Sequence, residues 1–143
     1  MQKTISFIFI FACLNSITQI QDYVGYNPHL IGNWELHSYV FLHENDTIKI
    51  HKDSVYWNVI IRIETDSITE DLISTGKRKD LPNITDKCTW SIYREETRIW
   101  ITIPCGSNNV RGVHEIIFVS ETELCTLYSI DETPVKLLFQ RID

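Results

Sequence analysis

The chain has 143 residues, of which 19 are acidic and 13 are lysine or arginine, giving a formal net charge of −6 at pH 7. This length suits one domain with a single hydrophobic core. The acidic balance argues against nucleic acid and against anionic membrane surfaces as partners, since both attract basic proteins.

Residues 1–21 have the pattern of a secretory signal peptide. Lys3 precedes an apolar run, residues 5–11, that is too short to span a bilayer, and small or polar residues follow it. Residues 10–13 half-resemble a bacterial lipoprotein cleavage box in which Cys13 would be lipidated, although Phe11 fits that box poorly. We therefore predict an exported protein, secreted or periplasmic, without a transmembrane span. A lipid anchor at Cys13 is the less favoured alternative.

A single domain is predicted over residues 27–143, and it opens with a helical turn. Asn27 is a favourable N-cap, Pro28 suits a first helical position, and Gly32 lets the backbone leave the turn at low steric cost. An alternating strand then begins at Trp34. A plug turn followed by a strand that starts with Trp is typical of a small closed β-barrel.

Period-2 alternation of side chains assigns the core face of the first strands. In residues 34–42 the face without charge carries Trp34, Leu36, Ser38, Val40 and Leu42. Strands are predicted next at 47–51, at 55–64, where Trp57 and Val59 share the apolar face, and at 67–74. A polar loop over residues 75–86 follows.

The clearest hairpin joins residues 88–94 to residues 98–105. A turn centred on Glu96 and Thr97 sets Cys88 opposite Cys105 and Trp90 opposite Ile103, with the apolar side chains on one face. A one-residue slip would turn that face to water, so the register is well specified. It predicts a Cys88–Cys105 disulfide, and the alternative is that the cysteines of the mature chain are reduced, buried thiols.

The remaining strands are predicted at 113–119, 123–130 and 135–142. The turn between the first two pairs Phe118 with Cys125 and Ile116 with Leu127. Eight or nine strands joined by short connections favour an up-and-down meander, and closing it removes exposed sheet edges. The predicted fold is therefore all-β, an antiparallel up-and-down eight-to-nine-stranded barrel with a short N-terminal helical plug turn.

At this point the chain resembles the lipocalins, in the broad sense of the calycin superfamily. Gly32-Asn33-Trp34 fits the G-x-W motif at the start of the first strand, and Arg141 fits the lone Arg that ends the last strand. The resemblance implies that Arg141 packs across Trp34 at the closed end of the barrel, as a cation–π contact. A T-D-Y-like second motif is absent, which places the chain among outlying lipocalin-like proteins.

The sequence shows no catalytic apparatus. It contains no nucleophile elbow, Gly-rich phosphate loop or zinc-binding helix motif. His37 and His43 share a strand face with Glu35, opposite the apolar face, so we expect exposed histidines there and a surface position for His114. We predict no enzyme activity, no cofactor and no metal. Asn45 and Asn83 stand in glycosylation sequons, which matter only in a eukaryotic secretory pathway.

Two functions fit this barrel. In the first, inward side chains line a pocket for a small hydrophobic ligand, held mainly by desolvation; the candidates are Leu36, Val40, Trp57, Val59, Trp90, Ile103, Phe118 and Leu127. In the second, the same side chains fill the barrel, and the protein is a secreted or surface interaction domain. Its exposed aromatic anchors would then be Tyr39, Phe41, Tyr56, Tyr93 and Trp100.

Overall fold

The computed structural model of the chain describes residues 28–44, 46–95, 98–106 and 111–143. The predicted signal peptide, Cys13, Asn27 and the sequon residue Asn45 lie outside the described residues. The described part is an all-β, antiparallel, nearly closed barrel. Its strands are β1 (Gly32–Leu42), β2 (Thr47–His51), β3 (Trp57–Ile63), β4 (Ser67–Ser74), β5 (Ile84–Thr89), β6 (Ser91–Glu95), β7 (Arg98–Ile103), β8 (Gly112–Val119), β9 (Glu123–Ile130) and β10 (Thr133–Arg141).

The sheet closes because its first and last strands pair. Strand β1 is hydrogen-bonded to β10 on one side and to β3 on the other, and β2 pairs with the second half of β1. The full order is β5-β4-β3-β1-β10-β9-β8-β7-β6, so β5 and β6 are the two edges. These edges are consecutive in the chain and are separated by Trp90 alone, which leaves only a narrow seam in the barrel.

The seam arises because the predicted strand 88–94 is bent at Trp90. Before the bend, Cys88 and Thr89 pair with Ile68 and Ser67 of β4, and after it β6 pairs with β7. The register between β6 and β7 is the predicted one, with Ile92 opposite Ile101. Trp90 is buried, and its indole Nε1 donates a hydrogen bond to the carbonyl oxygen of Glu64 at 3.0 Å. One predicted strand is therefore two, which gives ten strands where eight or nine were predicted.

Two β-bulges shift which residues face the core. The first is in β1 between Leu36 and Ser38, and beyond it Tyr39 is buried while Val40 is half-exposed, so the predicted core position of Val40 is wrong. A bulge adds one residue to a strand and so reverses the alternation that follows. Tyr39 is accordingly packed in the core and is not the exposed anchor that the alternation predicts.

The second bulge lies in β8 between Ile116 and Phe118. Phe118 is opposite Cys125 as predicted, but Ile116 is opposite Thr126, and Leu127 is opposite Glu115. The predicted pairing of Ile116 with Leu127 is therefore wrong. Phe118 is 46% exposed, so it does not belong to the barrel interior where the sequence placed it.

The predicted N-terminal helical plug is not formed by the described residues. They contain only a three-residue 3₁₀ turn, Pro28–Leu30, before β1. Leu30 is buried in the core, and its carbonyl oxygen accepts a hydrogen bond from Trp34 Nε1 at 3.0 Å. A three-residue 3₁₀ turn therefore stands where the sequence predicted a short helical plug turn.

The described residues include no helix with the length and apolarity that a membrane crossing requires.

Candidate functional site

Apolar side chains of the strands pack into one core cluster inside the barrel. Its members are between 0 and 6% exposed, and further side chains such as Leu72 and Ile116 are partly buried against it. The cluster members are Leu30, Trp34, Leu36, Tyr39, Val59, Ile61, Ile63, Ile68, Trp90, Ile92, Ile101, Ile103, Leu124, Val135, Leu137 and Phe139.

The predicted pocket residues are divided between this cluster and the rest of the barrel. Leu36, Val59, Trp90 and Ile103 belong to the cluster. Val40, Trp57 and Leu127 are only half-buried, and Phe118 is exposed. Trp57 Nε1 donates to the carbonyl oxygen of Pro82 at 3.3 Å, which ties this side chain to the loop before β5. The eight residues therefore differ in burial, and four of them are part of the core cluster.

Trp34 and Arg141 are in contact where β1 begins and β10 ends. The Arg141 guanidinium lies 4.6 Å from the centroid of the Trp34 ring, within the range of a cation–π interaction. Its Nη2 donates to the carbonyl oxygens of His29 and Ile31 at 2.6 and 2.9 Å. Gly32 has a φ of +153°, and a Cβ there would collide with the same guanidinium. The arrangement links the start of β1 to the end of β10.

The predicted disulfide between Cys88 and Cys105 is present, with the two Cα atoms 5.8 Å apart. Because Cys88 belongs to β5 and Cys105 follows β7, the bridge ties one edge of the sheet to the strand beside the other edge. Cys125 is the free cysteine of the described residues and is buried. Burial raises the pKa of its thiol, so it is a poor nucleophile.

Glu70 and His114 are buried titratable residues inside the barrel that the sequence pattern did not predict. Glu70 on β4 is 2% exposed, and its carboxylate lies against Gly106, where an added Cβ would be 2.7 Å from Oε2. His114, predicted at the surface, is buried; its Nδ1 lies 3.2 Å from Thr126 Oγ1 and its ring stacks on Tyr128 at 4.7 Å. Glu70 follows the buried Ile68 by two residues, so the strand period could have assigned it to the core.

The outer face of the barrel carries a groove of about 320 Å³. It runs over β10, where Leu138 and Gln140 alternate with the buried Leu137 and Phe139 and therefore point outward. The groove is lined by His37, Lys49, Phe118, Glu123, Leu124, Leu138, Phe139 and Gln140. Its wall thus combines apolar groups with groups of both charges.

A pair of histidines lies beside this groove. His37 Nε2 is 3.1 Å from His51 Nε2, and His51 Nδ1 is 2.9 Å from Asp53 Oδ2. His37 is half-buried, so it is not the exposed residue that the sequence predicted, whereas His43 is exposed. Within the part of the chain that the structure describes, no group of three or more His, Cys, Asp or Glu residues has the arrangement of a metal site.

Ion pairs join neighbouring strands on the outer face. Arg98 on β7 binds Glu115 on β8 through two hydrogen bonds of 2.7 and 2.5 Å and stacks over Trp100. The hydrogen bonds from Arg98 hold the pKa of Glu115 below its usual value. On β4, the Thr85 hydroxyl and then the Arg62 guanidinium lower the pKa of Asp71 in the same way. These carboxylates stay ionised and act as structural cross-links.

Comparison with known proteins gives no match to any protein-family model, to any curated protein or to any solved structure.

Proposed function

We propose that the chain is an exported, non-catalytic, lipocalin-like barrel that acts as an interaction domain through its outer surface. One observation carries the proposal: apolar side chains of the strands form one core cluster whose members are between 0 and 6% exposed, which favours a barrel filled by its own side chains. The contact between Trp34 and Arg141 is the one that the resemblance to lipocalins implies. The disulfide is compatible with export, because such bridges persist in oxidising compartments.

The outer surface supplies apolar groups for such contacts. Strand β8 alone exposes Val113, Ile117 and Phe118, each more than two-fifths accessible to solvent, and Tyr56 is exposed before β3. Exposed apolar groups that are close together mark interaction surfaces more often than isolated ones do. The bulge in β8 produces this exposure, since it leaves both Ile117 and Phe118 facing solvent.

Binding of a small hydrophobic molecule is the second candidate, and the groove on the outer face favours it. Phe118 and Leu138 give the groove an apolar wall, and Lys49, Glu123 and Gln140 give it polar groups that could orient a ligand. The volume of about 320 Å³ is at the lower end of the range for ligand sites. Such a ligand would bind on the barrel and not inside it.

Titration of the mature protein with an environment-sensitive apolar dye distinguishes these functions. The filled barrel predicts no saturable dye uptake. The Leu137→Ala variant is the positive control, since it opens a cavity at a fully buried core position. A dye signal that is lost in Phe118→Ser would favour the outer groove and the second candidate. A stoichiometric signal that survives Phe118→Ser and is displaced by a fatty acid would overturn the filled barrel.

A further inference from the structure

The contact between His37 and His51 fastens β2 to β1. His37 is the extra residue of the bulge in β1, and His51, the last residue of β2, lies opposite Ser38 in the ladder. The two Nε2 atoms are 3.1 Å apart, which is a hydrogen-bonding distance. Within the described part of the chain, β2 pairs with β1 alone. The histidine pair is therefore a side-chain link at the end of a strand that has one backbone neighbour.

The neighbours of the two rings assign the protons when both rings are neutral. His51 Nδ1 accepts a hydrogen bond from the backbone N–H of Asp53 at 3.4 Å. A neutral ring that accepts at Nδ1 carries its proton on Nε2, so His51 is the donor to His37 Nε2. His37 then carries its own proton on Nδ1, which is buried without a hydrogen-bond partner among the described residues.

One additional proton fits this arrangement without breaking it. Asp53 Oδ2 lies 2.9 Å from His51 Nδ1, and the His51 side chain is 40% exposed and so is open to solvent. A protonated His51 donates from Nδ1 to the Asp53 carboxylate and still donates from Nε2 to His37. The negative charge of Asp53 favours the charged ring. His51 can therefore be charged while the two strands stay linked.

A second proton does not fit. It would have to bind His37 Nε2, which is the acceptor of the contact. Both Nε2 atoms would then carry hydrogens, no acceptor would remain between them, and two positively charged rings in contact repel each other. His37 can consequently be charged only when the rings move apart.

The charged groups of the neighbouring turn compensate one positive charge on the pair and not two. Lys52 Nζ, in the 3₁₀ turn that follows β2, is bound to Glu35 Oε2 of β1 at 2.6 Å, so that carboxylate already has a cationic partner. Asp53, in the same turn, is the carboxylate beside His51. The second charge thus has no anionic partner on this side.

The groove side of the pair does not supply the missing negative charge either. His37 lines the groove together with Lys49 of β2 and Glu123 of β9. Lys136 of β10 and Lys49 both lie opposite Val40 in their ladders with β1. Two lysines and one carboxylate leave this side positive. Because Lys49 belongs to β2, separating the rings would also withdraw Lys49 from the groove wall.

We propose that the contact between His37 and His51 is a proton-sensitive latch, which holds β2 on β1 at neutral pH and releases it when the second ring is protonated. Histidine side chains titrate in the range from about pH 5 to pH 8, so mild acid is sufficient to operate it. The latch is independent of whether the groove has a ligand. If the groove does bind one, as in the second candidate function, release of β2 would weaken that binding in acid.

Backbone amide hydrogen exchange of the mature protein at about pH 7.5 and about pH 5 tests the latch. The protection factors of the β2 amides should fall at least about tenfold in acid, the size of an interaction that separates two protonation steps by one pH unit. Those of β9 should not change, since carboxylates are still ionised above the usual glutamate value of 4.5. His37→Gln and His51→Gln should each remove the acid effect, because one ring alone cannot be repelled by another. His43→Gln, an exposed histidine of the turn between β1 and β2, is the matched control and should keep the effect.

Histidine side-chain NMR spectra of the unmodified protein keep the test independent of how the variants fold. As the pH falls, His51 should gain its proton before His37, and protonation of His37 should coincide with the loss of protection in β2. Equal protection of β2 at the two pH values, or an equal fall in the His51→Gln variant, would overturn the latch. Neither result depends on dye uptake, so the latch and the filled barrel can fail separately.

Discussion

The effect of a buried serine on the stability of this barrel depends on whether its hydroxyl has a hydrogen-bond partner. Ser38 and Ser67 are both buried serines on strands. The Ser38 hydroxyl has no hydrogen-bond partner within the described ranges, whereas Ser67 Oγ donates to Glu64 Oε2 at 2.7 Å. Removing an unpaired buried hydroxyl costs little or stabilises, while removing a paired one loses an interaction.

Ser38→Ala and Ser67→Ala should consequently act in opposite directions. We expect Ser38→Ala to leave the free energy of unfolding unchanged or to raise it by up to about 1 kcal/mol, and Ser67→Ala to lower the Tm. Thermal unfolding of the two variants beside the unmodified protein measures both effects. A clear loss of stability in Ser38→Ala would mean that its hydroxyl has a partner, such as a bound water.

At the scale of elements, the sequence pattern predicted which segments form strands. It did not predict where a strand is interrupted or bulged. The bounds predicted for β2, β4 and β9 are the observed ones, because turn residues flank each segment. The bend at Trp90 and the bulges at His37 and Ile117 were missed. A bulge leaves no mark on composition, since it depends on how two distant strands pair, yet it reverses every side chain beyond it.

The contacts of the candidate site also differ in whether the sequence pattern could predict them. The Cys88–Cys105 bridge and the Trp34–Arg141 contact could be predicted because each depends on register or on a motif. The approach of His37 to His51 could not, since it requires both the bulge and the pairing of β1 with β2. Glu70 was also missed, although strand alternation places it on the inner face with Ile68.

The disulfide should contribute strongly because it holds the seam between β5 and β6. Replacing both Cys88 and Cys105 by Ser should lower the free energy of unfolding by about 3 kcal/mol, from the loss of a cross-link closing a short loop. Urea unfolding with and without a reductant measures this change. The reductant should shift the midpoint of the unmodified protein and not that of the double variant. A midpoint that reductant leaves unchanged in the unmodified protein would contradict the prediction.

At the scale of the whole molecule, the buried core cluster and the ion pairs of the outer face both stabilise the barrel. The core cluster supplies the burial, and ion pairs such as Arg62–Asp71 and Arg98–Glu115 connect adjacent strands from outside. The groove over β10 and the exposed side chains of β8 lie outside this cluster for the most part. Substitutions at exposed outer positions such as Phe118 therefore leave the core closed.

The outer ion pairs also set how stability depends on pH. The pKa values of Asp71 and Glu115 are lowered in the folded protein, so their contribution is fully present above the usual values of 3.8 and 4.5. It is lost as the pH falls through the lowered, folded-state pKa values, because the carboxylates must then be protonated. The barrel should therefore lose stability in acid below about pH 4.5, the usual pKa of a glutamate.

Glu115→Gln tests this assignment, with the exposed turn residue Glu121→Gln as the matched control. At pH 7 the Glu115 variant should lose about 1 kcal/mol or less, since the Arg98 side chain is 56% exposed and solvent screens the pair. The difference from the unmodified protein should shrink as the pH is lowered towards 2, because the unmodified Glu115 is then neutral as well. Urea midpoints measured from pH 7 to pH 2 follow both proteins. A difference that stays constant across this range would show that packing, and not the charge of Glu115, holds β7 to β8.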